Sequence, residues 1–221
     1  MTIRAVIFDM DGILIDSENL WQQSEVELFG ELGIDLTQTL LQQTRGLVTR
    51  DMVNHWCDGF YVTSVAREEL MKRYDDQMVE NMRTRVPMME GAREAVGFFR
   101  EKGLPVALAS CSTHKHIDAV LERHKLKELF SLVVSASGIM PGKPHPEIYL
   151  HTAQKLGVDP TRCLAIEDSF FGVVSALAAR MKVLAMPDPH EYGQSRFDAA
   201  HLKIRSLREI NDELFNKLSK I

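Results

Sequence analysis

The sequence predicts an α/β fold in which a doubly wound parallel sheet carries an inserted block of helices. Short apolar segments rich in β-branched residues alternate with segments of helical periodicity along most of the 221-residue chain, and this pattern is typical of βαβ units. A stretch from residue 16 to residue 87 interrupts the alternation and contains no convincing strand. We therefore expect an α/β core formed by residues 1–15 and 88–221, and a helical domain formed by residues 16–87.

Five segments are the predicted strands of the core. Each is short and apolar on both faces, as expected of strands buried within a parallel sheet. Helical patterns fill the intervals between them, and Gly103 and Gly157 close two of these helices as C-terminal glycines commonly do. The predicted strands are residues 3–8, 105–109, 132–134, 163–166 and 183–185. The predicted helices are residues 92–102, 113–124, 146–156 and 171–181.

The inserted block is predicted to contain four helices. The first carries apolar residues at helical spacing between residues 21 and 32, and Gly33 can cap its C-terminus. Thr49 can N-cap a later helix, and Ser64 can begin the longest one. A helical block inserted directly after the first strand suggests a lid, with hinges where the chain leaves and rejoins the core.

Composition and charge exclude several classes of function. The formal net charge is -5 and no basic patch is visible, which argues against a nucleic-acid partner. The three cysteines are far apart and form no CxxC pair, which favours a reducing compartment over a disulfide framework or a zinc site. No apolar run approaches about 18 residues. We expect a cytoplasmic monomer that binds neither nucleic acid nor membrane.

Polar residues follow the predicted strands where ligands bind in open α/β sheets, outside the carboxyl ends. A carboxylate there can attack phosphorus, and a second one two residues later can serve as acid and base. Clustered carboxylates repel one another unless a cation such as Mg²⁺ lies between them, while a lysine and a hydroxyl can bind a phosphoryl group. The residues are Asp9, Asp11, Ser110, Lys143, Glu167 and Asp168.

Each of these residues also has an ordinary structural interpretation. An Asp-x-Asp pair at a strand end is commonly a helix cap or a solvated turn, and Glu167 with Asp168 could cap the helix that follows. Ser110 could be a loop hydroxyl and Lys143 a solvated charge. All of them together at one edge of one sheet favour the chemical interpretation, which is phosphoryl transfer.

Four segments of the chain resemble the motifs of the haloacid dehalogenase-like hydrolase superfamily, in its sugar-phosphate phosphatase branch with a helical cap. The resemblance covers essentially the whole chain and implies a Rossmann-like core. The segments are Phe8–Glu18, Leu108–Ser112, Gly142–Pro146, and Ile166–Ser169 with Gly172. Arg180 departs from the pattern, because many relatives have glycine there and a left-handed turn would cost roughly 1 kcal/mol.

The resemblance implies a role for each acid. Asp9 is implied to be the nucleophile and a metal ligand, and Asp11 the acid/base and a ligand through its carbonyl. Asp168 would complete the metal site, with Glu167 in or near it. The implied cofactor is Mg²⁺, for which Mn²⁺ or Co²⁺ can substitute.

The resemblance also implies the residues that bind the phosphorylated small metabolite. The phosphate would be bound by the Cys111 amide and by neighbouring groups, and candidate specificity residues lie in the helical block. The phosphate-binding candidates are Met10, Gly12, Ser110, Cys111 and Lys143. The specificity candidates are Glu18, Trp21 and Arg45.

Within the branch, the chain is similar to phosphatases of hexitol phosphates and of 2-deoxyglucose-6-phosphate, through the Asp-Ser-Glu that precedes Leu20 and Trp21. A phosphoglycolate-type phosphatase and a β-phosphoglucomutase-like phosphotransferase are the alternatives. In such mutases a histidine stands at the position of Trp21. A true dehalogenase needs neither Asp11 nor the acidic pair at 167–168, and a non-catalytic sugar-phosphate sensor would be expected to lack one of the acids or Lys143.

Overall fold

The computed structural model describes residues 2–44, 49–137 and 141–221. Its backbone contacts divide the chain into two compact units. One consists of Met1–Asp16 and Pro87–Ile221, and the other of Ser17–Val86. The first contains the sheet, and the second is helical throughout its regular elements.

The sheet of the first unit has six strands in the order β3-β2-β1-β4-β5-β6, and every neighbouring pair is parallel. This confirms the predicted α/β fold with a parallel sheet. The sixth strand was not predicted, because it is only two residues long. The strands are β1 (Ala5–Phe8), β2 (Val106–Ser110), β3 (Leu132–Ser135), β4 (Cys163–Glu167), β5 (Lys182–Ala185) and β6 (Leu202–Lys203).

The helices lie in both units. Within the described ranges, the second unit contains the four α-helices that were expected there, and the first unit contains the four predicted between strands and a further C-terminal helix. Their bounds are α1 (Glu18–Gly30), α2 (Gln38–Thr44), α3 (Thr49–Gly59), α4 (Arg67–Thr84), α5 (Ala92–Glu101), α6 (His114–Arg123), α7 (Glu147–Leu156), α8 (Phe170–Ala178) and α9 (Asp212–Lys220).

Helices cover both faces of the sheet. Consecutive residues of a strand point to opposite faces, and Ile7 packs in a cluster with Tyr149 of α7 and Val173 of α8. Its neighbour Phe8 packs edge-to-face on Phe99 of α5, with ring centroids 6.0 Å apart. The central strand is therefore buried on both sides, which explains why its sequence is apolar throughout.

The register of the sheet aligns the strand ends that carry polar residues. Phe8 pairs with Leu108 of β2 on one side and with Ile166 of β4 on the other. The Asp9 N–H donates to the Ile166 carbonyl at 3.0 Å. Because the strands end at the same level, residues 9, 110 and 167 are brought to one edge.

The chain leaves and rejoins the first unit at adjacent points. Ile15 forms an antiparallel bridge with Met88, and the Asp16 N–H donates to the Pro87 carbonyl at 3.0 Å. Between β1 and this bridge the chain makes a tight turn in which Gly12 has a φ of 76°. The second unit is thus joined to the first through two paired segments.

The structure corrects one of three predictions about helix ends and confirms the other two. The longest helix begins at Arg67 with Ala66 as its N-cap, so Ser64 does not begin it. Helix α1 ends at Gly30, and Gly33 caps it as predicted: Gly33 has a φ of 78°, its N–H donates to the Gly30 carbonyl at 2.9 Å, and the Ile34 N–H donates to the Phe29 carbonyl at 3.0 Å. Arg180 does adopt the left-handed conformation expected of it, with a φ of 64°.

Thr49 is the first described residue of α3, and its hydroxyl donates to Asp75 Oδ1 at 3.0 Å. Its side chain therefore bonds to the neighbouring helix α4. The predicted apolar face of α3 is present, since Met52, Val53 and Trp56 are all buried. Among the helices of the described ranges, none is long and apolar enough to cross a bilayer.

Candidate active site

A buried lysine joins two carboxylates at the carboxyl edge of the sheet. Lys143 Nζ lies 2.5 Å from Asp9 Oδ1 and 2.6 Å from Glu167 Oε1. Asp9 directly follows β1 and Glu167 is the last residue of β4, so the two central strands present both acids to one ammonium group. The side chains of Lys143 and Asp9 are each 9% exposed, and that of Glu167 is fully buried.

Three acids in this site can share a cation. Carboxylate oxygens of Asp9, Glu167 and Asp168 lie within 4.8 Å of one another. The donor set consists of oxygen alone, which suits a hard divalent cation such as Mg²⁺ or Ca²⁺. When all are ionised, three carboxylates and the Lys143 ammonium leave two negative charges, and these match a divalent ion.

Burial disfavours the ionised form of the acids. It raises the pKa of Asp9 to about 7; the Lys143 ammonium opposes this effect, and the Glu167 and Asp11 carboxylates reinforce it. Burial, and then the charges of Asp9 and Glu167, raise the pKa of Asp168 well above its usual value. A cation held between these groups would favour their ionised forms.

Lys143 keeps its charge in the buried site. Burial alone would lower its pKa, but the carboxylates of Asp9 and Glu167 outweigh burial and raise the pKa of Lys143 well above its usual value. The lysine is therefore a permanent cation beside the Asp9 carboxylate. A buried positive charge of this kind can bind a phosphoryl group.

Asp11 and Ser110 are linked through Ser112, for which no role was predicted. The Ser112 hydroxyl donates to Asp11 Oδ2 at 2.9 Å, and the Ser112 N–H donates to Ser110 Oγ at 3.0 Å. Ser112, which lies just after β2, thus orients the Asp11 carboxylate. It lies within the second sequence motif, and its position two residues after Ser110 was the available signal.

Tyr149 is a second residue that sequence reasoning missed. It lies on α7 and is fully buried, and its hydroxyl donates to Glu167 Oε1 at 2.5 Å. Lys143 Nζ is 5.3 Å from the centre of the Tyr149 ring. The available signal was its position in the predicted helix 146–156, which follows the motif Gly142–Pro146 that contains Lys143.

Comparison with known proteins identifies the family of this chain. A family model described as haloacid dehalogenase-like hydrolase matches residues 6–186. The chain belongs to the haloacid dehalogenase-like hydrolase family. Membership confirms the resemblance drawn from the motifs. It also identifies the chain as an enzyme of a hydrolase family.

Individual relatives of the family agree with this assignment. The chain is 38% identical over 209 residues to hexitol phosphatase B of Escherichia coli K12, with 94% of each protein covered. The solved structure of CbbY from Rhodobacter sphaeroides in complex with phosphate has a TM-score of 0.82 at 20% identity, covering 94% of this chain and 96% of that one. β-Phosphoglucomutase from Clostridium difficile has a TM-score of 0.83 at 19% identity, covering 99% and 98%. These two structures support the shared fold alone.

The remaining candidates of the first unit lie close to the site in the chain. Met10 is fully buried, and its carbonyl accepts from three backbone N–H groups at 2.8 to 3.3 Å, which forms the turn after Asp9. Cys111 is partly buried, and burial raises the pKa of its thiol. The family resemblance assigns phosphate binding to the Cys111 amide, so a thiol that stays protonated is compatible with that role.

The candidate specificity residues belong to the second unit. Glu18 accepts from the Gln22 side chain at 2.8 Å. The ring of Trp21 packs on that of Tyr74, with centroids 5.8 Å apart. Arg45 lies outside the residues that the structure describes.

Proposed function

We propose that this haloacid dehalogenase-like hydrolase is a Mg²⁺-dependent phosphatase acting on phosphate monoesters of small sugars or sugar alcohols. The observation that carries the proposal is the contact of Lys143 with Asp9, beside two further acids at the end of a parallel sheet. A carboxylate nucleophile, a fixed cation and an oxygen-lined metal site are the parts that phosphoryl transfer needs.

The reaction would proceed in two displacements. In the first, the Asp9 carboxylate attacks phosphorus, the bond to the ester oxygen breaks, and Asp11 gives its proton to the leaving alcohol. In the second, Asp11 takes a proton from water, the water oxygen bonds to phosphorus, and the bond to Asp9 breaks. The Ser112 hydroxyl at 2.9 Å supports this role, because it holds the Asp11 carboxylate in one orientation.

Mg²⁺ would be held by the carboxylates of Asp9 and Asp168 and by the Asp11 carbonyl, with Glu167 beside them. When bound, the ion supplies positive charge to the phosphoryl oxygens and offsets the repulsion among the acids. Lys143 supplies a second positive charge from the protein itself. Ser110, almost fully buried at 1% exposure, would offer its hydroxyl to the phosphate.

Gly12 gives the backbone close access to the metal-binding acids. A Cβ at this position would lie 2.1 Å from Asp168 Oδ2. Its φ of 76° is also a conformation that favours glycine. The backbone of the turn that contains Gly12 therefore packs directly against the Asp168 carboxylate.

The substrate class rests on the relatives. The 38% identical relative is named a hexitol phosphatase, which favours sugar or sugar-alcohol phosphates over phosphoglycolate. We propose that residues 17–86 form a mobile cap whose residues Glu18, Trp21 and Arg45 read the part of the substrate beyond the phosphate. The three free cysteines favour a reducing compartment such as the cytoplasm, where we expect a monomer.

A phosphate-release screen tests the proposed function. Purified protein with Mg²⁺ is assayed against hexitol phosphates, hexose-6-phosphates, 2-deoxyglucose-6-phosphate, pentose phosphates and phosphoglycolate, and kcat/KM is compared. We expect the highest values for a hexitol or hexose phosphate. Release from none of these esters, or a clear preference for phosphoglycolate, would contradict the proposal.

A further inference from the structure

Tyr149 connects the core of the first unit with its charged site. The side chain is fully buried among apolar residues that include Ile7, Ile148 and Val173, so its ring position is fixed by packing. Its hydroxyl nevertheless has a charged partner, since it donates to Glu167 Oε1 at 2.5 Å. A phenol that donates to a carboxylate in a dry environment makes one of the stronger hydrogen bonds in proteins.

The carboxylate of Glu167 is held from several sides. Its Oε1 accepts from Tyr149 and lies 2.6 Å from Lys143 Nζ. Its Oε2 lies 3.3 Å from the Ser169 hydroxyl and 3.4 Å from the Ser169 N–H. A Cβ at Gly172 would lie 2.0 Å from the Glu167 carboxyl carbon, so helix α8 closes the remaining side. Glu167 therefore has little freedom to move.

Lys143 has two acidic partners of nearly equal distance, Asp9 Oδ1 at 2.5 Å and Glu167 Oε1 at 2.6 Å. The position of the ammonium depends on how strongly each oxygen attracts it. The Tyr149 O–H shares Glu167 Oε1 with the ammonium and so reduces the charge that this oxygen offers to Lys143. The Tyr149 hydroxyl therefore influences how strongly Lys143 is attracted to Glu167 relative to Asp9.

We propose that Tyr149 is a positioning residue for phosphate binding, acting through Glu167 on Lys143. The inference rests on the proposed function, because it assigns Lys143 to the phosphate. With the hydroxyl in place, the ion pair with Glu167 holds Lys143 without drawing it away from Asp9. The ammonium therefore stays directed toward Asp9, where the phosphate would bind. Without the hydroxyl, Glu167 Oε1 keeps Lys143 as its partner at 2.6 Å, and the stronger ion pair between them weakens the contact of Lys143 with Asp9 and with phosphate.

The test is a comparison of Tyr149→Phe with Thr152→Val. The first change removes only the phenolic oxygen. The second removes a buried hydroxyl from the same helix, where Thr152 Oγ1 donates to the Ile148 carbonyl at 2.7 Å and plays no part in the site. Inorganic phosphate is titrated into each protein in the presence of Mg²⁺ by calorimetry, and melting temperatures are recorded.

We expect Tyr149→Phe to weaken phosphate binding by about tenfold, as typical for residues that orient a ligand-binding group from behind. The KM for p-nitrophenyl phosphate should rise by a similar factor, with kcat changed by less than about threefold. Thr152→Val should bind phosphate with the affinity of the wild type, although its melting temperature should fall by about as much as that of Tyr149→Phe. Wild-type phosphate affinity in Tyr149→Phe would overturn the inference.

A double-mutant cycle shows whether Tyr149 acts through Glu167. In the Glu167→Gln background, residue 167 carries no charge to attract Lys143, and the Tyr149 hydroxyl has no carboxylate to act through. Adding Tyr149→Phe should therefore change phosphate affinity by less than about twofold. An undiminished effect in that background would overturn the proposed route. A wild type that binds phosphate but hydrolyses no ester would defeat the proposed function, while the binding comparison would still decide the role of Tyr149.

Discussion

Gly12 and Asp168 are so close that position 12 has no room for a side chain. A Cβ at residue 12 would lie 2.1 Å from Asp168 Oδ2 and 2.5 Å from its carboxyl carbon. Gly12 also has a φ of 76°, a conformation that costs other residues about 1 kcal/mol or more. Two independent physical reasons thus require glycine at position 12, beside Asp168.

We expect Gly12→Ala to lose at least about a hundredfold in kcat/KM, because the methyl group displaces the Asp168 carboxylate from the metal site. Gly103→Ala is the matched control: Gly103 has a φ of 72°, and nothing lies within 4 Å of its added Cβ. The left-handed backbone should cost both variants about 1 kcal/mol of unfolding free energy. Gly12→Ala should lose more than this because of the contact with Asp168, and only Gly12→Ala should lose activity. Equal activity in the two variants would contradict the steric argument.

Asp9→Asn should keep the fold and lose all but about a hundredth of the phosphatase rate, because an amide cannot act as the covalent nucleophile. Rapid quenching of the wild type with a radiolabelled phosphate ester should trap label on the protein, and the variant should trap none. Asp118→Asn, on the exposed face of α6, serves as the control. Retention of more than about one per cent of the rate in Asp9→Asn would exclude the covalent route.

Removal of divalent cations should abolish activity, and added Mg²⁺ should restore it. Asp168→Ala should resist rescue at Mg²⁺ concentrations that saturate the wild type, because its carboxylate is one of three acidic groups within 4.8 Å. Thermal melting gives a second readout: Mg²⁺ should raise the melting temperature of the wild type and leave that of Asp168→Ala unchanged. Full activity in EDTA would refute the metal requirement.

The acids of the site were predictable from the sequence because strand ends are local features. The apolar run before Asp9 and the one before Glu167 each end at the polar residue that enters the site. A parallel sheet then brings the two together, since Phe8 and Ile166 pair in register. The contact of both acids with Lys143 could only be expected in outline, because it depends on the path of the loop that carries the lysine.

The contacts of Ser112 with Asp11 and of Tyr149 with Glu167 were not predicted, for different reasons. Ser112 orients Asp11 across 101 residues of sequence, and a loop hydroxyl gives no periodic signal of its partner. Tyr149 lies on the apolar face of α7, where its ring follows the core pattern and its hydroxyl adds nothing to that pattern. The helix α9 and the strand β6 were missed because they follow the last strong apolar run.

Glu25 should destabilise the folded second unit more at neutral pH than at acidic pH. Glu25 is 5% exposed, and its Oε1 accepts from the Thr44 hydroxyl at 2.6 Å and from the Trp56 indole. Burial outweighs these hydrogen bonds and raises the pKa of Glu25 above its usual value of 4.5. The folded state therefore holds the proton more tightly than the unfolded state, and stability falls as pH rises from 4.5 through the raised value.

Glu25→Gln should remove this dependence, because an amide oxygen can still accept both hydrogen bonds and carries no charge to bury. Urea unfolding between pH 4 and pH 8 can be followed by tryptophan fluorescence, since both tryptophans, Trp21 and Trp56, lie in the second unit. The stability gained over wild type should grow with pH. Glu69→Gln, an exposed change on α4, should keep the wild-type pH profile; the same profile in Glu25→Gln would refute the assignment.

In the proposed mechanism, an aspartyl-phosphate at Asp9 could pass its phosphoryl group to water or to a second sugar, and the identity of residue 21 bears on this choice. A mutase must keep water from that intermediate, and the family resemblance implies a histidine at this position in β-phosphoglucomutase-like enzymes. The indole N–H of Trp21 can donate a hydrogen bond, but it neither takes up nor releases a proton at neutral pH. The ring packs on Tyr74 in the second unit, and the Tyr74 hydroxyl donates to the Trp21 carbonyl at 3.1 Å.

Hydrolysis should therefore win over isomerisation. With β-glucose-1-phosphate, Mg²⁺ and a bisphosphate primer, we expect release of inorganic phosphate to exceed formation of glucose-6-phosphate by at least about tenfold. Phosphate can be followed colorimetrically and glucose-6-phosphate by a coupled dehydrogenase, with Asp9→Asn as the blank for both. Phosphatases and mutases share this fold, so the fold does not distinguish the two activities. The ratio of the two products does. Net formation of glucose-6-phosphate faster than phosphate release would make the protein a mutase, whatever the identity of residue 21.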